Sequence, residues 1–195
     1  MHLVAGQPEV LIKEESIRGR VAEMARRISN QYAQAAVDQV ILVGVLRGAF
    51  IFLADLARRL TVPHRVDFIA VSAYGTQPGT TPGAVRLVKD LTVDISGQHV
   101  LVIEDIVHTG RTLRYLIDML QARQPASLKT CVLVRKPGKR AAQLAQETKD
   151  AGVDGDDLRV DFIGFEIPDA WVVGYGLDYR DQWRTLPYIG VIKPD

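Results

Sequence analysis

The sequence predicts an α/β fold, a parallel-sheet core flanked by helices, and two observations carry that reading. Short, nearly continuous apolar runs rich in Val and Ile recur along the chain, as strands buried on both faces of a sheet do. Between them stand segments with apolar residues at three-and-four spacing, the mark of amphipathic helices. Strands alternating with helices imply parallel strands joined by crossovers. The 195 residues, 47% hydrophobic and 24% charged, suit a single domain spanning 1–195 with a full core.

The elements follow in order. Glu14 to Ala36 spaces Ile17, Val21, Met24, Ile28 and Tyr32 as one helical face. Val40 to Leu46 is a continuous apolar run, hence a buried strand. Phe50 to Leu60 reads as a helix, with Arg58 and Arg59 suited to the negative end of its dipole. Val66 to Ala73 is a further strand. Tyr74 to Gly83 holds three Gly, two Pro and three Thr, which rules out a regular element and marks a long functional or mobile loop. Val85 to Val88 returns from it as the second arm of a long hairpin. His99 to Ile103 is a short buried strand, and Thr109 to Gln121 a helix with Leu113, Leu116, Ile117 and Leu120 on one face. Leu128 to Val134, Val160 to Phe165 and Trp171 to Val173 are the remaining strands. Ala141 to Asp157 is polar and partly helical.

Charge and composition remove several function classes. A net charge of +1 gives no electrostatic footprint for nucleic acid and no polybasic membrane segment. No apolar run approaches the length of a membrane span. The N-terminal stretch MHLVAGQPEVLIKEE lacks the charged-then-apolar order of a secretory signal, so a soluble cytoplasmic protein is expected. The one cysteine, Cys131, sits in an apolar run and reads as a core residue of a strand rather than a nucleophile.

The stretch from Val100 to Leu113, VLVIEDIVHTGRTL, carries the chemistry. An apolar strand ends in two adjacent acids, Glu104 and Asp105; a short loop with Thr109 and Gly110 follows, and a helix begins. In open α/β sheets ligands bind beyond the carboxyl ends of strands. A helix N-terminus offers free N–H groups and a positive dipole end to a phosphate. Gly110 lets the backbone approach an anion, Thr109 and Thr112 add hydroxyl donors, and Arg111 adds charge. Two carboxylates beside a phosphate repel it unless something lies between, and ribose hydroxyls or a hydrated Mg²⁺ would serve. Taken alone, the same pattern also suits an ordinary capped helix with solvated acids. Neither a Walker A pattern nor a G-x-G-x-x-G is present, which removes the main support for triphosphate and dinucleotide readings.

This stretch resembles the phosphoribosyl pyrophosphate signature of the type I phosphoribosyltransferases: apolar residues, two acids, two apolar residues, an acid, Thr or Ser, Gly, any residue and Thr. The resemblance extends over nearly the whole chain and is strongest to the hypoxanthine-guanine branch. Gly44-Val45-Leu46-Arg47-Gly48-Ala49 looks like the family's pyrophosphate loop, with Arg47 where Lys is common. Ser72-Ala73-Tyr74-Gly75 looks like the start of its mobile catalytic loop. Lys136 in Val134-Arg135-Lys136-Pro137 matches the lysine that reads the purine's exocyclic oxygen. Phe162 to Asp169 followed by Trp171 to Tyr179 matches the C-terminal block.

The resemblance implies a small hood, built from the N- and C-terminal segments, over the sheet. It implies purine salvage, with phosphoribosyl pyrophosphate and a 6-oxopurine as substrates and Mg²⁺ as cofactor. Glu104, Asp105, His108, Thr109, Gly110, Arg111 and Thr112 would then bind the sugar phosphate. Leu46, Arg47, Gly48 and Arg184 would hold pyrophosphate. Lys136, Trp171, Val172 and Asp178 would hold the purine, Trp171 by stacking and Val172 through its backbone. Glu104, Asp105 and Asp178 would serve metal, and Tyr74 would close over the reacting centre. A homodimer or homotetramer is implied, and the family often has a non-proline cis peptide at the position of Leu46-Arg47, which a sequence does not reveal.

One position departs from the pattern. The family carries an acid where this chain has His108, and that acid bonds to or deprotonates N7 of the purine. Three readings stay open. In the first His108 accepts the proton, since a free imidazole has a pKa of roughly 6.5 against about 3.9 for aspartate. In the second it only binds, and activity is weak or shifted toward another base. In the third it is a histidine tolerated in a loop. His108 and Arg111 also give the loop a likeness to the RNA-binding attenuators that share this fold. The near-neutral charge and the C-terminal block stand against that alternative.

Overall fold

The computed structural model describes residues 7–73, 85–136 and 160–193. The expected loop Tyr74 to Gly83, with Tyr74 itself, and the polar stretch Ala141 to Asp157 lie outside them. Along the described chain run β1 (Glu9–Ile12), α1 (Glu14–Gln34), β2 (Val40–Leu46), α2 (Phe50–Ala57), β3 (His64–Ala73) and β4 (Val85–Lys89). They are followed by β5 (His99–Val107), α3 (Arg111–Gln121), β6 (Ser127–Arg135), β7 (Phe162–Glu166), β8 (Trp171–Val173) and β9 (Ile189–Ile192).

Six strands form one sheet in the order β4-β3-β2-β5-β6-β7. Every pair is parallel except the edge pair β3–β4, the expected hairpin. The strands read as unbroken apolar runs because both faces are covered. On one face Leu42, Leu101, Ile103, Cys131 and Leu133 pack with Ile17, Val21, Met24 and Ile28 of α1 and Phe52, Leu53 and Leu56 of α2. On the other, Ile41, Val43, Val100, Val102 and Val132 meet Leu113, Leu116 and Leu120 of α3. Each fully buried side chain of this kind stabilises the fold by about 1.5–3 kcal/mol. Cys131 is buried, as its setting predicts.

A second, three-stranded sheet in the order β1-β9-β8 joins the two ends of the chain and is the expected hood. Its central strand β9 pairs antiparallel with both β1 and β8, and periodicity does not foretell β1 or β9. Other bounds shift for local reasons. Helix α2 ends at Ala57 rather than Leu60, because Arg59 N and Leu60 N bond to Leu56 and Ala57 carbonyls in a tightened last turn. Helix α3 starts at Arg111, not Thr109, because Gly110 is left-handed with φ +72°. Strand β5 runs on to Val107, four residues beyond the expected end, because β6 accompanies it as far as Val107↔Arg135. Glu104 and Asp105 therefore lie within a strand and not at its end.

The sheet opens where the site is expected. The β2–β5 ladder stops at Gly44↔Ile103, whereas β2–β3 continues to Leu46↔Ala70 and β5–β6 to Val107↔Arg135. From β2 the chain proceeds to β3 on one side, and from β5 to β6 on the other. That reversal leaves a crevice beyond the carboxyl ends of β2 and β5, the place where open α/β sheets bind ligands.

Candidate active site

Two loops and two acids meet in that crevice. Leu46-Arg47-Gly48 leaves β2 through a cis peptide between Leu46 and Arg47. A Cβ placed on Gly48 would fall 1.6 Å from Asp105 Oδ2, and one on Gly176 (φ +106°) would fall 2.0 Å from the Gly48 carbonyl oxygen. The carboxylate of Asp105, the turn at Gly48 and the C-terminal block at Gly176 are thus stacked in layers that only glycine allows.

Glu104 is buried at 7% exposure, and its Oε2 has no hydrogen-bond partner. Burial, and then the charge of Asp105, push its pKa up to about 8. Burial also pushes Asp105 up to about 6, against the Ile106 N–H that donates to its Oδ1 at 2.9 Å and the pull of Arg184; Asp178 adds to the rise. A buried pair of acids with an unpartnered oxygen fits a cation or a set of hydroxyl donors. Among the described residues no three His, Cys, Asp or Glu side chains converge as a ready-made metal cage. A cation held here would take one or two protein oxygens and complete its shell from water and ligand, the habit of Mg²⁺.

The phosphate loop follows at once. His108, Thr109 and Arg111 are exposed, with Gly110 and Thr112 half-buried. No side chain caps the start of α3, so the free N–H groups of its first turn remain for an anion.

Opposite lies the C-terminal block. Arg184, 17% exposed, bonds to Asp178 and donates to the Gly176 carbonyl. Asp178 Oδ2 accepts from Asp181 N at 2.9 Å, the local bond of a turn residue, while its Oδ1 meets Arg184. Arg47 Nη2 donates to Asp181 Oδ1 at 2.8 Å, and Arg184 Nη2 lies 3.6 Å from the same oxygen. The two arginines expected on pyrophosphate do converge, and the residue they share, Asp181, is one that motif reading passes over.

The last group sits at the ends of β5, β6 and β7. Lys136 is almost buried, not a surface lysine: its side chain is 11% exposed and its Nζ lies 3.8 Å from Asp169 Oδ1. His108 Nε2 lies 3.6 Å from that same oxygen. Trp171 is 57% exposed, so it is no core residue; Tyr179 meets it edge to face at 5.7 Å. Val172 beside it is buried. Asp169 falls inside the C-terminal block that the resemblance covers, but no role is expected for it from the sequence.

Comparison with known proteins agrees with this geometry. The model of the phosphoribosyl transferase domain family matches residues 12–180. The chain is 44% identical over 184 residues to hypoxanthine phosphoribosyltransferase of Escherichia coli K12, covering 94% of each. It is 40% identical over 186 residues to hypoxanthine-guanine phosphoribosyltransferase of Bacillus subtilis, covering 95% of this chain and 93% of that one. Among solved structures, a hypoxanthine phosphoribosyl transferase of Trypanosoma cruzi aligns with a TM-score of 0.81 at 39% identity, over 100% of this chain and 95% of that one. A hypoxanthine-guanine phosphoribosyltransferase of Bacillus anthracis aligns with a TM-score of 0.79 at 34% identity, over 96% of this chain and all of that one. The likeness runs to enzymes and covers the C-terminal block, which disfavours the RNA-binding alternative. Among the described residues no helix is long and apolar enough to cross a membrane.

Proposed function

This chain belongs to the phosphoribosyltransferase family, and on that premise we propose that it transfers the 5-phosphoribosyl group of phosphoribosyl pyrophosphate to N9 of hypoxanthine or guanine. The products are IMP or GMP and pyrophosphate. The observation that carries the reading is a pair of adjacent acids in β5, Asp105 against the Gly48 loop and Glu104 buried with an unpartnered oxygen, just ahead of the uncapped start of α3. Such a corner suits a diol or a hydrated cation joined to a phosphate, and phosphoribosyl pyrophosphate presents both.

In this reading the 5-phosphate lies on the loop of Thr109, Gly110, Arg111 and Thr112 at the helix start. Glu104 and Asp105 take the ribose hydroxyls. Glu104 and Asp105 would hold one Mg²⁺ and Asp178 a second, which would supply charge neutralisation to the departing pyrophosphate. Arg47 and Arg184 leave Asp181 and Asp178 to grip that pyrophosphate, helped by the backbone of Leu46, Arg47 and Gly48. The bond from ribose C1 to pyrophosphate breaks, C1 becomes oxocarbenium-like, and N9 attacks it. Trp171 stacks on the purine, the backbone of Val172 reads its edge, and Lys136 donates to its exocyclic oxygen. His108 accepts the proton from N7. Tyr74 would close over the centre and exclude water. The assembly is a homodimer or homotetramer, which a light-scattering mass measurement checks.

The test is a product assay with phosphoribosyl pyrophosphate, Mg²⁺ and a panel of hypoxanthine, guanine, xanthine and uracil. IMP or GMP formed with equimolar pyrophosphate is expected. No nucleotide from hypoxanthine or guanine refutes the reading. For His108, activity falling as pH falls, with His108→Asp moving that fall to lower pH, is expected of the proton acceptor. Profiles equally flat in both proteins rule the role out.

A further inference from the structure

Strands β5, β6 and β7 lie side by side, and each delivers one chargeable side chain just past its carboxyl end: His108, Lys136 and Asp169. Hydrogen bonding outlasts the strands here. Lys136 N donates to Val107 O at 2.9 Å, and Ile167 N to Arg135 O at 3.0 Å. Asp169 is then turned inward by a tight three-residue turn in which Ala170 N donates to Pro168 O at 2.8 Å. The result is one carboxylate oxygen, Asp169 Oδ1, lying 3.6 Å from His108 Nε2 and 3.8 Å from Lys136 Nζ. The adjacent Arg135 is engaged by Glu166, its cross-strand neighbour, so another acid already meets that cation.

We propose that Asp169 is a positioning residue for the base half of the reaction, holding the His108 ring through Nε2 and the Lys136 ammonium through Nζ from a single oxygen. This rests on the transfer proposed above. A carboxylate on one ring nitrogen fixes the orientation and tautomer of an imidazole and leaves its other nitrogen, Nδ1, for the substrate. The same oxygen lies within ion-pair range of the Lys136 ammonium and so limits where that ammonium can point. At 3.6 and 3.8 Å these are ion-pair separations, longer than hydrogen bonds, and His108 and Asp169 are each half-exposed. The contribution is therefore to orientation and not to global stability. The bridge also implies that the proton acceptor and the base-reading cation move together when the purine arrives.

Two measurements test this. The first is steady-state kinetics for wild type, Asp169→Asn, Asp169→Glu, His108→Asp and the double variant His108→Asp/Asp169→Asn. Asp169→Asn is expected to lower kcat/KM for hypoxanthine roughly tenfold, while KM for phosphoribosyl pyrophosphate and the melting temperature hold. Asp169→Glu recovers most of the loss. In the His108→Asp background the sign reverses, because two carboxylates then face each other and removing one relieves repulsion. An unchanged kcat/KM in Asp169→Asn overturns the proposal, and so does the same loss in both backgrounds. The second measurement needs no turnover: ¹⁵N shifts of the His108 ring should show a changed tautomer ratio in Asp169→Asn, and identical shifts overturn the proposal. A wild type that makes no nucleotide would refute the function alone, since the ring shifts still decide the role of Asp169.

Discussion

Asp67 and Glu104 are buried to the same degree, 6% and 7% exposed, and their surroundings could hardly differ more. Asp67, on β3, accepts from Phe68 N at 2.7 Å, Thr92 N at 2.6 Å, Thr92 Oγ1 at 3.0 Å and Val93 N at 3.1 Å. Burial alone would raise its pKa, but those hydrogen bonds outweigh burial and pull it below the usual carboxylate range. Glu104 has an oxygen with no partner, and burial together with a neighbour of like charge pushes its pKa up to about 8. The first acid is a fastener that ties the chain after β4 to the sheet. The second is an incomplete site that the fold tolerates without closing. Burial alone does not tell the two acids apart; their hydrogen bonding does.

Substitutions should split the pair in opposite directions. Glu104→Gln is expected to lower kcat/KM for nucleotide formation on the order of 100-fold or more. The same change should raise the melting temperature of the ligand-free protein near neutral pH, because an amide, unlike Glu104, has no proton to take up on folding. Steady-state assay and thermal denaturation on one preparation check both halves, and a variant that loses stability along with activity breaks the comparison. Asp67→Ala is expected to do the reverse. Stripping the acceptor from Thr92 and Val93 N–H groups should cost about 2–3 kcal/mol, read by chemical denaturation, with KM values for both substrates close to wild type.

The pH dependence of stability sharpens the contrast. Glu104 has its folded pKa raised from an ordinary 4.5 to about 8. Across that window the unfolded chain releases the proton first, so stability present below the window is lost as pH rises through it. Asp105, raised from 3.8 to about 6, adds loss of the same sign over the lower part. Asp67 works the other way: its lowered pKa gives stability present above the ordinary aspartate value and lost as pH falls. The melting temperature of the ligand-free protein should therefore decline from mildly acidic toward alkaline pH, and Glu104→Gln should flatten most of that decline. An unchanged slope in the variant would mean that Glu104 is not the group responsible.

These acids also show what a sequence displays and what it hides. The alternation of strands and helices is local, so it is legible from periodicity and holds from α1 to β8 within a few residues. Strands β1 and β9 are four residues each and pair across almost the whole length of the chain, so no local pattern announces them. The Glu104-Asp105 pair and the Thr109-Gly110 loop are legible because adjacent residues carry them. That β5 continues through the acids depends on β6 alongside, and local polarity points the other way. The place of Asp169 beside His108 and Lys136 shows only in the lateral order of β5, β6 and β7, and that of Asp181 only where the loop after β2 meets the C-terminal block. A residue that acts across elements leaves its trace in the register, which a single strand does not print.

The weakest effect should come from the most exposed charges. Arg47 and Asp181 are each 69% exposed and paired at 2.8 Å. Water screens such a pair, and its net contribution to stability is about 0–1 kcal/mol. Asp181→Asn should accordingly leave the melting temperature within about a degree or two of wild type. Its effect should be seen in binding instead. Freed of that carboxylate, Arg47 no longer has to break an ion pair before meeting pyrophosphate, while Arg184 keeps its bond to Asp178. The KM for phosphoribosyl pyrophosphate should then fall by a few-fold at low salt, and the difference should shrink at high salt as the competing pair is screened in wild type too. A rise in KM would mean that Asp181 positions the arginines for the substrate, and that this exposed carboxylate, like Asp67, is a fastener.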